Sequence, residues 1–384
     1  MRSALGVRDD PRQNLFERLR DVRWLLILLV AAIAGVGATT LYSAAGGSME
    51  PWAIRHLLRF GVAVVVLLVI AVTDLRLWWR AAYTLYAVGL ALLIVVEIAG
   101  TIGMGAQRWI DLGIISLQPS EVMKIVLVLA LARYFHGCDL AAVRRPLMLI
   151  VPVLMVLVPV ALVLVQPDLG TATMLFLSGS AVFFAAGVPL WMFGVVGLIG
   201  AAALPVGWGF LHDYQRQRVF TFLDPESDPL GSGYHILQSK IALGSGGVFG
   251  KGFLQGTQGH LNFLPEKQTD FIFTMFAEEF GLVGSLMLLL LFVVVLGYCF
   301  AIALASRNQF GRLLAFGVTT TFFLYLFINM AMVMGLIPVV GVPLPLVSYG
   351  GTAVLSLMVG FGLVMCVYIN RQRTIARSGL GDSA

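Results

Sequence analysis

Ten apolar stretches, each long enough to approach or cross a bilayer, leave this chain of 384 residues little room to be anything but a membrane protein. A bilayer core of about 30 Å takes roughly 20 apolar residues per helix. The stretches run Trp24–Ser43, Ala53–Val72, Ala81–Gly100, Ser120–Phe135, Leu147–Val165, Thr171–Gly187, Leu190–Phe210, Leu282–Leu304, Leu313–Leu336 and Leu346–Ile369. The fourth and sixth are short and hold polar residues, as expected of helices that are tilted or shielded by neighbours. Only 12% of the residues are charged and 59% are hydrophobic, whereas soluble domains carry about 25% charge. The expected fold class is an all-α polytopic membrane protein with no soluble domain beside it. The polar, arginine-rich segment 1–23 is followed by no small-residue cleavage site after the first apolar run, so that run reads as a retained helix.

Lysine and arginine in the short loops set the expected orientation. One set of connections holds the N-terminal tail, Arg76, Arg80, Arg144, Arg145, Arg307, Arg312, Arg371, Arg373 and Arg377. The alternate set is almost free of them, with Arg108 as the exception. The positive-inside rule then places both termini in the cytoplasm. The expected organisation is a cytoplasmic tail over 1–23, one ten-helix membrane domain over 24–370 and a cytoplasmic tail over 371–384. A long periplasmic loop over 211–270 joins the seventh and eighth helices. A loop of that length in a tightly connected chain reads as a functional lid, and Gly233–Leu243 within it suits a short amphipathic helix. The net charge of +5 comes from scattered loops and tails, so it reports topology rather than a nucleic-acid partner. Cys138, Cys299 and Cys366 show neither metal spacing nor a disulfide framework.

Four polar strings fall on the expected outer side: Gly105-Ala-Gln-Arg-Trp109, Gln166-Pro-Asp168, Gln268-Thr-Asp270 and Ser348-Tyr-Gly-Gly351. Asp270 stands directly before an apolar run. It reads either as a helix N-cap or as a general base whose pKa is raised from about 3.9 by partial desolvation. Asp168, after Pro167, reads as a helix cap or as part of a site, and Gln166 beside it sits close to hydrocarbon, where unpaired polar groups are expensive. Glu121 and Lys124 share one helix face, either as a self-neutralising pair or with Lys124 turned to an anion and Glu121 holding it. Trp109 suits an interfacial anchor, and Arg108 beside it suits a phosphate. Arg55, His56 and Arg59 read first as snorkelling residues and second as lipid-phosphate contacts. The glycine-rich run Gly244–Gly252 fails the phosphate-loop pattern, because Gly252 follows Lys251 where Ser or Thr is required.

A polar, acid-lined site at an outer leaflet suits a lipid-linked substrate that carries its own activation, such as a polyprenyl-diphosphate sugar. Sugar transfer from that donor needs a base for the acceptor hydroxyl and positive charge for the departing diphosphate. Asp270 is the candidate catalytic base. The candidate substrate-binding set is Arg108, Trp109, Glu121, Lys124, Gln166, Asp168, Lys267 and Ser348. Mg²⁺ or Mn²⁺ is a candidate source of further positive charge, and no organic cofactor is expected.

The chain resembles the SEDS family of peptidoglycan glycosyltransferases, the group of RodA, FtsW and SpoVE. The resemblance covers nearly the whole length. It rests on Gly105-Ala-Gln-Arg-Trp-Ile-Asp-Leu-Gly113, Gln118-Pro-Ser-Glu121, Gln166-Pro-Asp-Leu-Gly-Thr171, Gln238-Ser-Lys-Ile-Ala-Leu-Gly-Ser-Gly-Gly247, Leu264-Pro-Glu-Lys-Gln-Thr-Asp-Phe-Ile-Phe273 and Pro343-Leu-Pro-Leu-Val-Ser-Tyr-Gly-Gly351. Asp224-Pro-Glu-Ser-Asp-Pro229, the Lys251–Gln258 stretch and Val339-Val-Gly-Val-Pro343 resemble the RodA branch. The resemblance implies ten helices in the bacterial inner membrane and polymerisation of lipid II into glycan strands during elongation. It implies a class B penicillin-binding protein of the PBP2 type as partner, within the machinery of MreB, MreC and MreD. It carries the family's essential acid onto Asp270, and further important polar positions onto Trp109, Glu121, Lys124 and Asp168. Many members have histidine where this chain has Gln268, so no histidine role carries over there. The alternatives are a lipid II flippase, motivated by polar residues such as Glu97 and Asp168 near the spans, and a non-catalytic scaffold of the elongation complex. The scaffold would use the small-residue face of Gly194, Gly197 and Gly200 for helix contacts.

Overall fold

The structure, a computed structural model, describes residues 15–103, 106–111, 113, 116–210, 216, 220–224, 232–260, 266–373 and 375. Most of both tails, Gly105, the 225–229 part of the Asp224 string, Leu264 and Pro265 lie outside the described residues.

The elements are helices α1 (Leu15–Arg20), α2 (Trp24–Ala44), α3 (Ala53–Ala71) and α4 (Leu75–Ala99), then strands β1 (Thr101–Gly103), β2 (Ala106–Asp111) and β3 (Ser116–Leu117). Helices α5 (Pro119–His136), α6 (Leu140–Val143), α7 (Pro146–Val165), α8 (Leu169–Ala186) and α9 (Leu190–Phe210) follow. The chain ends with α10 (Ser232–Ser245), α11 (Thr257–His260), α12 (Ile272–Ala305), α13 (Gln309–Val333) and α14 (Gly351–Ile369). Ten of these helices have 18 or more residues, and eight are apolar enough over that length to cross a membrane. The chain is a multi-pass, all-α membrane protein. The exception is the small antiparallel sheet β1-β2-β3, between α4 and α5.

Helix α5 is the organising element. It carries Glu121, Lys124 and Arg133, yet fifteen of its eighteen residues are buried. Helices α4, α7, α8, α13 and α14 pack around it, so its charged face meets protein rather than lipid. That shielding is what allows a charged helix at membrane depth. The uncharged helix α7 is the opposite case, with only five of twenty residues buried and the rest turned outward.

Several boundaries differ from those read from the sequence. Helix α4 begins at Leu75, six positions before the expected Ala81, because Asp74 caps it by accepting from the Arg76 amide at 2.8 Å. Helix α12 begins at Ile272 and is broken at Gly281, where φ is +65°. Only the part after that break corresponds to the expected span from Leu282. The backbone of Val248, Phe249 and Gly250 packs against Gly281, closer than 3 Å to where a Cβ would stand. The glycine-rich run is therefore explained by backbone contact with a broken helix: the Leu282 and Val283 amides donate to the Gly247 and Val248 carbonyls at 3.0 and 3.1 Å. The apolar run from Leu346 is not the start of the last helix. Pro343 and Pro345 supply no amide donors, and Val342, Leu344, Leu346 and Val347 instead form a buried, non-helical segment before α14. Irregular backbone is tolerated among membrane helices only where protein encloses it or it borders a cavity. Helix α10 covers the expected amphipathic stretch Gly233–Leu243. On α9, a Cβ at Gly194, Gly197 or Gly200 would meet no described atom within 4 Å.

Candidate active site

The strings that open α8 and precede α12 and α14 converge with β2 and α5 on one cavity of about 450 Å³. Arg108, Trp109, Glu121, Lys124, Asp168 and Asp270 all line it. Arg108 and Asp270, 162 positions apart in sequence, thus share one polar chamber at one end of the bundle.

Asp270 sits in the turn before α12. The N-cap position of that helix falls on Phe271 rather than Asp270. The turn is fixed through its backbone. The carbonyl of Gln268 accepts from the Tyr349 amide at 2.8 Å. The carbonyl of Thr269 accepts from Ser348 Oγ at 2.6 Å, and that of Asp270 accepts from Asn329 Nδ2 at 2.9 Å. Within the turn, Glu266 Oε2 accepts from Gln268 Nε2 and Thr269 Oγ1, each at 3.2 Å. Three donors from two other segments hold three successive carbonyls. The Asp270 carboxylate is left on the cavity side, its Oδ2 lying 3.5 Å from where a Cβ on Gly341 would stand.

Lys124 and Glu121 form an ion pair at 2.7 Å, with both side chains almost completely buried. The phenol of Tyr325, from α13, donates to Glu121 Oε2, and Lys124 Nζ lies 4.2 Å from the centroid of the Tyr325 ring. Each Glu121 oxygen therefore has one donor. Removing one member of a buried pair costs about 3–5 kcal/mol, because the remaining charge is stranded.

Asp168 is the N-cap of α8: Oδ1 accepts from the Thr171 amide at 3.0 Å and Oδ2 from Thr171 Oγ1 at 2.9 Å. The same carboxylate faces Arg108, with Nη1 at 3.7 Å from Oδ2. Arg108 also donates to the Pro167 carbonyl at 2.8 Å and the Gln166 carbonyl at 3.4 Å. The cap and the site are thus one device, since the carboxylate that starts the helix also braces a cavity cation.

Gln166, Lys267 and Ser348 lie outside the cavity lining. The Gln166 side chain is buried and donates to the Leu93 carbonyl at 3.0 Å, so only its backbone carbonyl faces Arg108. Lys267 Nζ donates to the Gly259 carbonyl at 2.9 Å, and burial lowers its pKa below the usual lysine value. Ser348 acts on the Asp270 turn as described. Tyr325, Asn329 and Thr171 join the site without standing out in the sequence. Tyr325 and Asn329 are polar side chains on a mostly apolar helix, four positions apart and so on one face. That spacing was the available signal.

No group of three His, Cys, Asp or Glu side chains that could hold a metal occurs among the described residues. Three carboxylates, Glu121, Asp168 and Asp270, line the cavity, and carboxylate oxygen is the ligand type that Mg²⁺ and Mn²⁺ take.

The pattern of the Cell cycle protein family, FTSW_RODA_SPOVE, matches residues 21–373. The chain is 44% identical to the peptidoglycan glycosyltransferase MrdB of Escherichia coli K12 over 379 residues, covering 95% of this chain and 98% of that protein. It is 34% identical to stage V sporulation protein E of Bacillus subtilis over 355 residues, covering 89% and 96% of the two chains. Among solved structures, a chain from work on the structural coordination of polymerization and crosslinking by a peptidoglycan synthase complex superimposes with a TM-score of 0.79 at 33% identity, covering 92% of this chain and 99% of that one. The rod shape determining protein RodA of Thermus thermophilus superimposes with a TM-score of 0.70 at 30% identity, covering 92% and 98%.

Proposed function

Because this chain belongs to the FtsW, RodA and SpoVE family of cell cycle proteins, we propose that it is a peptidoglycan glycosyltransferase that polymerises lipid II into glycan strands during cell elongation. The observation that carries the proposal is the single cavity that unites Asp270 with Arg108, Trp109, Glu121, Lys124 and Asp168.

In this reading Asp270 is the general base. It takes the proton of the acceptor sugar hydroxyl as that oxygen attacks the anomeric carbon of the donor. The bond from that carbon to the diphosphate oxygen breaks, and polyprenyl diphosphate leaves with the bonding pair. A base whose turn is tied at three carbonyls is fixed before substrate arrives, so little reorganisation is needed at the moment of reaction. Arg108 and Lys124 face the diphosphate, and Asp168 and Glu121 hold those cations in place. Trp109 offers a flat apolar surface to a sugar ring. Mg²⁺ or Mn²⁺, held by Asp270 and the diphosphate oxygens, would supply additional positive charge to the leaving group.

The cytoplasmic membrane is the proposed location, with both termini inside and the cavity at the outer face. An impermeant thiol reagent should then label a Ser48→Cys variant in intact cells and leave Cys138 untouched; the reverse pattern would overturn the orientation. The proposed partner is a class B penicillin-binding protein that crosslinks the nascent strands, in line with the synthase complex that contains the solved relative.

The test is polymerisation by the purified complex with lipid II, with and without Mg²⁺ or Mn²⁺. Asp270→Ala and Asp270→Asn should both lose about 10²–10⁴-fold in rate, the usual contribution of a positioned base. Polymer at the normal rate from either variant would remove Asp270 from the mechanism.

A further inference from the structure

Before any divalent ion is counted, the described side chains of the cavity carry too little positive charge for two diphosphates. Its described lining holds two cations, Arg108 and Lys124, and three carboxylates, Glu121, Asp168 and Asp270, so the fixed charge is 2 − 3 = −1 with all groups ionised. Both cations are engaged, Lys124 by Glu121 at 2.7 Å and Arg108 by Asp168 at 3.7 Å. Glycan polymerisation from lipid-linked units brings two diphosphates to one site, one on the donor and one on the acceptor. A net negative chamber repels the second of them.

One further cation touches a residue of the cavity wall. Arg59 lies in the second turn of α3 and is exposed. Among the described residues it forms no ion pair. Its guanidinium is not simply extended toward headgroups, as snorkelling alone would have it. The Cζ atom lies 4.7 Å from the centroid of the Tyr349 ring. The side chain also lies over Gly351, where a Cβ would come within 3.2 Å of Arg59 Cδ and Nε and 3.3 Å of Cζ. Glycine at that position leaves room for the guanidinium. Tyr349 and the neighbouring Gly350 line the cavity, and the Tyr349 amide donates to Gln268 in the Asp270 turn at 2.8 Å. Arg59 therefore reaches the site through Tyr349, from a different helix than the strand and helix that supply Arg108 and Lys124. Stacking on the ring restrains the flat guanidinium and leaves N–H donors to accept phosphate oxygens.

We propose that Arg59, seated on Tyr349, forms a second diphosphate-binding point, which holds one polyprenyl-linked saccharide while Arg108 and Lys124 face the other. The assignment rests on the glycosyltransferase reading of the cavity. It adds that the two lipid-linked substrates enter past different cations.

The test separates diphosphate binding from catalysis and from general headgroup attraction. The purified complex with its penicillin-binding partner is placed in nanodiscs of phosphatidylcholine alone or with phosphatidylglycerol. Binding of undecaprenyl diphosphate and of undecaprenyl monophosphate is titrated, and KM and kcat for lipid II are measured. Arg59→Gln should weaken diphosphate binding and raise KM about tenfold, the equivalent of one charge-assisted contact. The loss should be smaller for the monophosphate and equal in both nanodiscs, and Arg59→Lys should recover part of it. Unchanged diphosphate affinity and KM in Arg59→Gln would overturn the proposal. So would a loss confined to discs with phosphatidylglycerol, since Arg59 would then be a headgroup anchor. Diphosphate binding that depends on Arg59, together with full polymerisation by the Asp270→Ala complex, would instead sink the catalytic reading and leave the binding site standing.

Discussion

Asn329 Nδ2 donates to the carbonyl of Asp270 at 2.9 Å and to that of Val342 at 2.7 Å. One buried amide on α13 thereby joins the turn that carries the candidate base to the irregular segment that forms another part of the cavity wall. The carboxylate of Asp270 takes no part in this contact, so position is fixed through backbone and chemistry is left to the side chain.

Replacing Asn329 by Leu removes both donors at nearly constant volume. Two buried carbonyls lose a partner, at roughly 1–3 kcal/mol each. Because the Asp270 turn keeps its links to Ser348 and Tyr349, it should loosen rather than unfold. The expected result is a fall in kcat of about tenfold or more with little change in KM, since 1 Å of misplacement at a reacting group is expensive. Measuring both constants for Asn329→Leu and Asn329→Asp checks this. A variant that changes KM alone would place Asn329 in binding instead of positioning.

Tyr325 serves Glu121 and Lys124 in two ways, one through its hydroxyl and one through its ring face. Tyr325→Phe keeps the ring over the ammonium and takes the donor from Glu121 Oε2. Tyr325→Leu removes both. The first change should destabilise the protein by about 1–3 kcal/mol, and the second by more, since a large buried side chain is also shortened. Thermal unfolding in one detergent should give the order wild type, Phe, Leu. Equal midpoints for the wild type and Tyr325→Phe would mean that Glu121 does not depend on the phenol.

The bundle was legible in the sequence because lipid-facing helices such as α7 announce themselves by composition. The cavity was legible because acids, amides and an arginine recur on one side of the membrane. What composition hides is any helix or partner residue defined by its neighbours. Helix α5 is legible only as a short span that holds polar residues, and its place at the centre follows from five surrounding helices. Asn329 and Tyr325 look like stray polar residues until a turn 59 positions away and a helix 204 positions away meet them. Leu346 and Val347 read as helix because they are apolar, whereas the prolines before them decide the backbone. Gln166 was placed in the site by its neighbours in sequence, yet its side chain turns away to Leu93.

Glu278 decides how the segment before the Asp270 turn is held. Its side chain is fully buried on α12, one turn before the break at Gly281. Oε1 accepts from Lys251 Nζ at 2.7 Å, from the Thr257 amide at 2.8 Å and hydroxyl at 3.0 Å, and from the Gln258 amide at 3.1 Å. One carboxylate thus gathers four donors from the 251–258 segment, and the amides of Thr257 and Gln258 belong to the start of α11. A glutamine of the same shape would offer a single weaker acceptor and an NH₂ group that faces donors. Glu278→Gln should therefore release this segment locally, by more than the roughly 1–3 kcal/mol of one lost charge-assisted bond, while the helices around it stay folded. Hydrogen exchange is the direct readout: the amides of Thr257 and Gln258 should exchange at least tenfold faster in Glu278→Gln, with protection in α5 and α14 unchanged. Unaltered protection at those two amides would show that the segment is held by its apolar contacts, and that the buried carboxylate is incidental to it.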